Sequence, residues 1–193
     1  MTSKRLFDLL LALLVLLFCG GLLLLALVLA SIDTRSFGLF LQKRIGQAGR
    51  PFIIFKIKTL NDTTQQVSAL GRFFRNSKID ELPQLFNILN GSMSFVGPRP
   101  DVPGYADLLT GTDRIILHLK PGVTGLASLK YRNEETLLKQ QKNPLHYNDT
   151  VIWPDKVRLN VWYVKHQSFA LDFKILWYTF FPFSFDVDGV VGS

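Results

Sequence analysis

Asp80-Glu81 is the pair of residues in this chain best suited to chemistry. Adjacent carboxylates can divide the roles of nucleophile, base and magnesium ligand in phosphoryl transfer. The dipeptide alone is ambiguous, because acids in a first helical turn are favourable through the macrodipole without any catalytic role. Cations flank it in sequence: Lys56, Lys58, Arg72, Arg75 and Arg99. Four of these read equally well as solvated surface charges. Arg99 is held between Pro98 and Pro100 after Gly97, and a rigid turn presents a guanidinium whose fork matches a phosphate. Pro121-Gly122-Val123-Thr124-Gly125 reads as a tight turn whose glycines let backbone amides approach an anion or a nucleotide, or simply as a loop. His118, His146 and His166 lack metal-ligand spacing, which argues against zinc, and there is no Walker loop or GxGxxG fingerprint.

The elements that must position these residues can be read from the spacing. Apolar residues at 82, 85, 86 and 89 predict a helix that ends at Gly91. Pro83 fits best in its first turn, so Asp80 or a neighbour is the expected N-cap; Ser77 is the alternative, with Asp80 completing a capping box. Leu39-Phe40-Leu41 and the run from Pro51 to Lys58 predict two extended pieces around a Gly46/Gly49 turn.

Lys plus Arg total 22 against 15 Asp plus Glu, and 48% of the residues are hydrophobic. A basic surface with so much apolar area suits an anionic membrane or anionic substrates rather than nucleic acid. Cys19 is the sole cysteine, so no intrachain disulfide can form.

Residues 9–30 carry no formal charge and are mostly leucine. A helix of that length covers the roughly 30 Å hydrocarbon core of a bilayer. A spanning helix is one reading and a cleavable signal another, although the run exceeds the roughly 7 to 15 residues of a signal core. Lys4 and Arg5 precede it while Arg35, Lys43 and Arg44 follow, and basic flanks tend to stay cytoplasmic. Gly20-Gly21 marks the least costly place for a bend, so a helical hairpin entering and leaving one leaflet is the third reading. Between Val151 and Phe185, Trp153, Trp162 and Trp177 alternate with Lys156, Arg158, Lys165 and Lys174, a mixture that suits either membrane-surface helices or ordinary core packing.

Together these segments resemble the bacterial sugar transferase family, the monotopic phosphoglycosyl transferases, in their minimal catalytic form. The resemblance is carried by Lys4-Arg5-Leu6-Phe7-Asp8, Gln42-Lys43-Arg44-Ile45-Gly46, Pro51-Phe52 through Lys56, Asp80-Glu81-Leu82-Pro83-Gln84-Leu85, Met93-Ser94-Phe95-Val96-Gly97-Pro98-Arg99-Pro100 and Pro121-Gly122-Val123-Thr124-Gly125. It implies an α+β, mainly helical protein. Residues 1–33 would form a re-entrant membrane helix-hairpin. Residues 34–193 would form a compact catalytic domain at the cytoplasmic face of the inner membrane, with a short β-hairpin and interfacial C-terminal helices.

The resemblance further implies that Asp80 attacks the sugar-linked phosphorus of a UDP-sugar and expels UMP, and that undecaprenyl phosphate then takes the phosphosugar, which initiates glycoconjugate assembly. Glu81 would assist, Asp80 and Glu81 would hold Mg2+, and Lys56, Arg75, Arg99, Pro121, Gly122 and Thr124 would bind substrate. Downstream glycosyltransferases are possible partners. A catalytically silent lipid-binding or scaffold protein is the alternative, and direct transfer without a phosphoenzyme is a third reading. The sequence departs from the family pattern at Gly20-Gly21 (usually Ser-Pro), Lys58 (Arg), Leu60 (Met), Ser92 (Asp) and Asn160 (often Asp).

Overall fold

The computed structural model describes residues 3–181 and 186–192. The chain falls into two compact units, one of Met1–Arg44 with Pro51–Ser94 and one of Ile45–Arg50 with Phe95–Ser193. Helices dominate, and the described strands form two two-stranded sheets, β1-β2 and β3-β4.

In the first unit, helix α1 (Ser3–Thr34) carries the leucine-rich run. Its buried residues are Asp8, Ala12, Leu23, Ala26, Ala30 and Thr34, with Leu16 partly buried, a stripe at helical spacing along one face. The other faces are apolar and open: Leu17 and Phe18 are each 78% exposed and Leu24 67%. Such an apolar surface in water would be an aggregation hazard, whereas in a bilayer it is at rest. Helix α1 runs through Gly20 and Gly21, the expected place of a bend, without a break in its helical assignment. Each glycine still donates its backbone N–H and costs only about 0.5–1 kcal/mol relative to alanine, and the buried stripe continues past them.

The expected hairpin is formed by β1 (Leu39–Ile45) and β2 (Pro51–Ile57). Helix α2 (Ala69–Asn76) starts at Ser68, whose hydroxyl accepts from the Gly71 amide at 2.9 Å and donates to Asp33 of α1 at 2.7 Å. Ser77 ends α2 rather than starting the next helix, its hydroxyl donating to the carbonyl of Phe73. Helix α3 (Gln84–Leu89) is shorter than the spacing predicted. Its buried residues are Gln84, Leu85, Asn87 and Ile88, while Phe86 is 46% exposed, so the buried face is rotated from the 82/85/86/89 reading toward two polar side chains. Arg5 of α1 donates to the carbonyls of Ile88 (2.5 Å) and Leu89 (3.0 Å), satisfying acceptors that the helix end leaves open. Gly91 follows in the left-handed region at φ 88°, which is the predicted stop.

In the second unit, β3 (Ser94–Val96) pairs with β4 (Gly122–Thr124). The backbones approach so closely that a Cβ on Gly122 would collide with the Gly97 amide nitrogen, and one on Gly125 with the Gly97 carbonyl. Helices α4 (Leu126–Lys130), α5 (Glu134–Lys139) and α6 (Pro144–Tyr147) follow, then α7 (Trp153–His166), α8 (Phe169–Phe180) and α9 (Val187–Gly192). The core gathers Val96, Leu126, Leu159, Tyr163, Ile175 and Val187. Tyr163 is fully enclosed, its hydroxyl donating to Asp172 at 2.6 Å. Lys130 and Arg158 each pair with both Asp155 and Asp188, which ties α9 to α4 and α7.

The two readings of the aromatic C-terminal stretch divide between helices. Helix α7 packs inward through Val157, Leu159, Asn160 and Tyr163. Helix α8 exposes Phe169, Phe173, Trp177 and Phe180, at 43%, 55%, 59% and 75%. Residues 182–185, the end of that stretch, lie outside the described residues.

The glycines give a paired prediction. Gly122→Ala should cost about 1–3 kcal/mol through forced displacement of the Gly97 backbone. Gly20, with nothing near the position a Cβ would take, should accept alanine at no cost or with a gain of about 0.5–1 kcal/mol. Chemical unfolding of both variants in detergent measures the contrast.

Candidate functional site

Asp80 and Glu81 lie in a single turn of 3-10 helix, Ile79–Glu81, just before α3. The expected N-cap role is not taken: Lys78 precedes the turn and Pro83 the helix, neither with a side-chain cap. What holds the turn is its apolar flanks, since Ile79 and Leu82 pack against a cluster of Leu23, Ala26 and Ala30 from α1, Ile57 from β2 and Phe74 from α2. Two outer side chains sunk in a core leave the two inner carboxylates little freedom.

The backbone entering the turn is unusual. Lys78 adopts the left-handed region at φ 60°, ψ 15°, which a residue with a Cβ rarely enters. It is pinned on both sides, its amide donating to Arg75 and its carbonyl accepting from Glu81 at 3.1 Å. Strain of this kind costs on the order of 1–3 kcal/mol and gathers at functional sites.

Glu81 faces Lys56 of β2 across 3.2 Å, with side chains only 10% and 17% exposed, so this pair is well shielded from water. Asn87 of α3 sets the distance between the two elements: its carbonyl oxygen accepts from the Phe55 amide at 3.0 Å and its nitrogen donates to the Ile53 carbonyl at 2.7 Å. Helix α3 therefore docks on β2 through one buried asparagine, 1% exposed. Arg75, at the end of α2, donates to the Thr59 hydroxyl at 2.9 Å.

Asp80 differs from its neighbour. Its Oδ1 is buried and has no hydrogen-bond partner among the described residues. Burial, and secondarily the Glu81 charge, raise its pKa above the ordinary 3.8, against the opposing pull of Lys56, Lys78 and Arg75. A half-buried carboxylate with an unsatisfied oxygen and cations nearby is a functional-site candidate on physical grounds. Glu81 beside it makes the pair a fair fit for magnesium, which takes one or two carboxylates and completes its shell with water and substrate phosphate. No cluster of three or more potential ligands occurs among the described residues.

The other expected binding residues belong to the second unit. Arg99 follows β3 in the Pro98–Pro100 turn, and that turn is anchored where the Gly122 amide donates to the Pro98 carbonyl at 2.8 Å and the Gly97 amide to Thr124 at 3.0 Å. The Gly122 amide is thus engaged within the protein, and Thr124 shares a 2.7 Å hydrogen bond with Thr179. Pro121, Gly122 and Thr124 are buried. Close strand packing accounts for the glycines, and these residues brace the Arg99 turn. Within the first unit the structure brings together Asp80, Glu81, Lys56 and Arg75. Lys78, Gln84 and Asn87 join them without having been singled out from sequence. The signal for the last two was available, since a Gln and an Asn three apart in an apolar helical run are polar residues that must be accounted for.

Comparison with known proteins bears on this arrangement. Residues 1–185 match the family model described as bacterial sugar transferase. The sugar transferase EpsL of Bacillus subtilis is 35% identical over 91% of this chain and 84% of its own length. The UDP-glucose:undecaprenyl-phosphate glucose-1-phosphate transferases of Klebsiella pneumoniae and Escherichia coli are each 32% identical, over 94% and 92% of this chain. The chain spans only 40% and 39% of those two larger proteins.

The raised pKa of Asp80 fixes the sign of a stability effect. The unfolded chain ionises this group near 3.8, while the folded chain keeps its proton to higher pH. The folded state therefore holds more protons between the two values, and the stability linked to this group falls as pH rises through that window. Asp80→Asn, which cannot ionise, should stabilise the protein at neutral pH by about 0.5–2 kcal/mol, with the gain shrinking on acidification. Unfolding curves of both proteins across pH test the sign.

Proposed function

Because the chain belongs to the bacterial sugar transferase family, we propose that it transfers a phosphosugar from a UDP-sugar to undecaprenyl phosphate and releases UMP, through a covalent intermediate on Asp80. The observation that carries this reading is the Asp80 carboxylate itself, half-buried, with one oxygen unpartnered among the described residues.

An oxygen of Asp80 attacks the sugar-linked phosphorus, the phosphorus–oxygen bond to UMP breaks, and the phosphosugar remains as an acyl phosphate. A phosphate oxygen of the lipid then attacks the same phosphorus, and the Asp80 carboxylate leaves unchanged. Each step brings two anions together, which requires positive charge at the site. Lys56, Lys78 and Arg75 surround Asp80, and Arg99 stands in a braced turn that suits a phosphate. Gly122 and Thr124 contribute by holding that turn, with Pro121 beside them in the chain. Asp80 and Glu81 would hold a magnesium ion, which when bound offsets the charge of the diphosphate. Glu81, already paired with Lys56, keeps its carboxylate oriented beside the nucleophile.

The reaction takes place at a membrane surface on this reading, at the cytoplasmic face. Both halves of α1 pack against the same unit: Arg5 grips the end of α3, while Ala26 and Ala30 sit with Phe74 and Ile57. A helix flanked by cations at both ends and seated along its length on one body suits a monotopic anchor whose ends stay on one side. The aromatic face of α8 suits the headgroup layer. The relatives that name undecaprenyl phosphate support the lipid acceptor. Glycosyltransferases that extend the lipid-linked sugar would be the partners downstream.

Purified protein in detergent, given a panel of UDP-sugars with magnesium and undecaprenyl phosphate, should release UMP with at least one donor. Asp80→Asn should lose the activity by about 10⁴-fold or more, as removal of a nucleophile does, and Lys56→Met should reduce it by about 10²-fold. A labelled phosphosugar trapped on the wild-type protein without lipid identifies the intermediate. No UMP with any donor from folded protein would favour the silent scaffold. Exchanging Phe173 and Trp177 for Glu should weaken binding to anionic vesicles about tenfold or more in co-flotation.

A further inference from the structure

The buried oxygen on Asp80 has a counterpart. Among the described residues, Gln84 Nε2 is also a buried side-chain atom with no hydrogen-bond partner, and Gln84 is 2% exposed. One group is an acceptor without a donor and the other a donor without an acceptor. Leaving either buried and unpaired is costly. They are four residues apart along a backbone that stays helical throughout: Asp80 is in the 3-10 turn, Leu82 and Pro83 have right-handed helical angles, and Gln84 opens α3. Residues at that spacing are neighbours on a helix surface, where Gln and Asp side chains can bond. Pro83 lacks an amide proton and Leu82 is committed to the core, so no nearer side chain on this turn can answer the Asp80 oxygen.

We propose that Gln84 is a positioning residue for Asp80: on arrival of the donor, its carboxamide N–H donates to Asp80 Oδ1 and turns the other oxygen toward the phosphorus. The inference rests on the proposed phosphosugar transfer. A hydrogen bond between the two would satisfy both orphaned groups at once. It also explains why a polar residue occupies an inward position of a short apolar helix. Lys56 and Glu81 from the neighbouring elements, with Lys78 and Arg75, provide charge around the carboxylate, but charge alone does not choose which oxygen attacks. A directional hydrogen bond does.

Gln84→Met preserves length and volume and removes the donor. In wild-type background, kcat for UMP release should fall by about tenfold to a hundredfold. The donor KM should stay within about twofold, since Gln84 acts through Asp80 rather than on the sugar nucleotide. The first half-reaction, read as phosphosugar trapped without lipid, should slow by the same factor as kcat. The melting temperature should hold or rise, because an unpaired buried donor has been replaced by an apolar group. Gln84→Asn, which retains an amide one methylene short, should show the same slowing and is the variant to read if the methionine protein does not fold. An active wild type with unchanged kcat in the folded variant overturns the role of Gln84 alone. A slowing accompanied by an equal loss of thermal stability assigns Gln84 to structure and also overturns it. A wild type that releases no UMP from any donor overturns the transfer itself, and this inference with it.

Discussion

A carboxylate kept half out of water with one oxygen unpartnered must be held there by something other than its own hydrogen bonds. For Asp80 that constraint is supplied by hydrophobic packing on either side. Ile79 and Leu82 are drawn into a cluster with α1, β2 and α2, and the acids between them have no choice of place. The energy comes from apolar burial, at roughly 25 cal/mol per Å², whereas the acids themselves are net costs. Lys56 is set opposite Glu81 by the docking of α3 on β2, and that docking passes through the two hydrogen bonds of Asn87. The left-handed Lys78 is the local cost of turning the chain from α2 into the acidic turn so tightly. Core, asparagine and strained lysine together fix the place of one half-buried carboxylate.

The second unit solves a related problem with different means. The Arg99 turn is stiffened by prolines on either side of the residue and by the backbone contact of its neighbours. Gly97, Gly122 and Gly125 permit that contact, because any side chain at these positions would push the strands apart. The glycines that read in sequence as an anion-approaching turn or a plain loop have a steric reason of their own in this backbone contact.

Much of this was legible from residue types and spacing. The hairpin of β1 and β2, the stop at Gly91, the long apolar helix and the acidic pair all follow from local rules, which is why they could be read. The N-cap expectation for Asp80 failed because tertiary packing of Ile79 and Leu82 favoured a 3-10 turn over a longer α-helix. The helix face was misread for a similar reason: hydrophobicity alone favoured Phe86, but Asn87 has a specific partner on β2 and takes the buried position, leaving the ring 46% exposed. At Gly20-Gly21 the helix keeps its regular assignment through both glycines. Lys78 escaped notice because a positive φ is a property of three-dimensional context with no signature in composition, whereas Gln84, visible as a polar residue in an apolar run, could be read as buried only from the packing around it.

The stripe on α1 has a practical implication for anyone wishing to handle this protein in water. Ala26 and Ala30, both about 1% exposed, belong to the same cluster that seats the acidic turn. Cutting the helix away to obtain a soluble fragment would therefore open a hole in the packing that seats Ile79 and Leu82 on either side of the acidic pair. A water-soluble version would have to keep the helix and repaint only its outward leucines, such as Leu17 and Leu24, with polar residues.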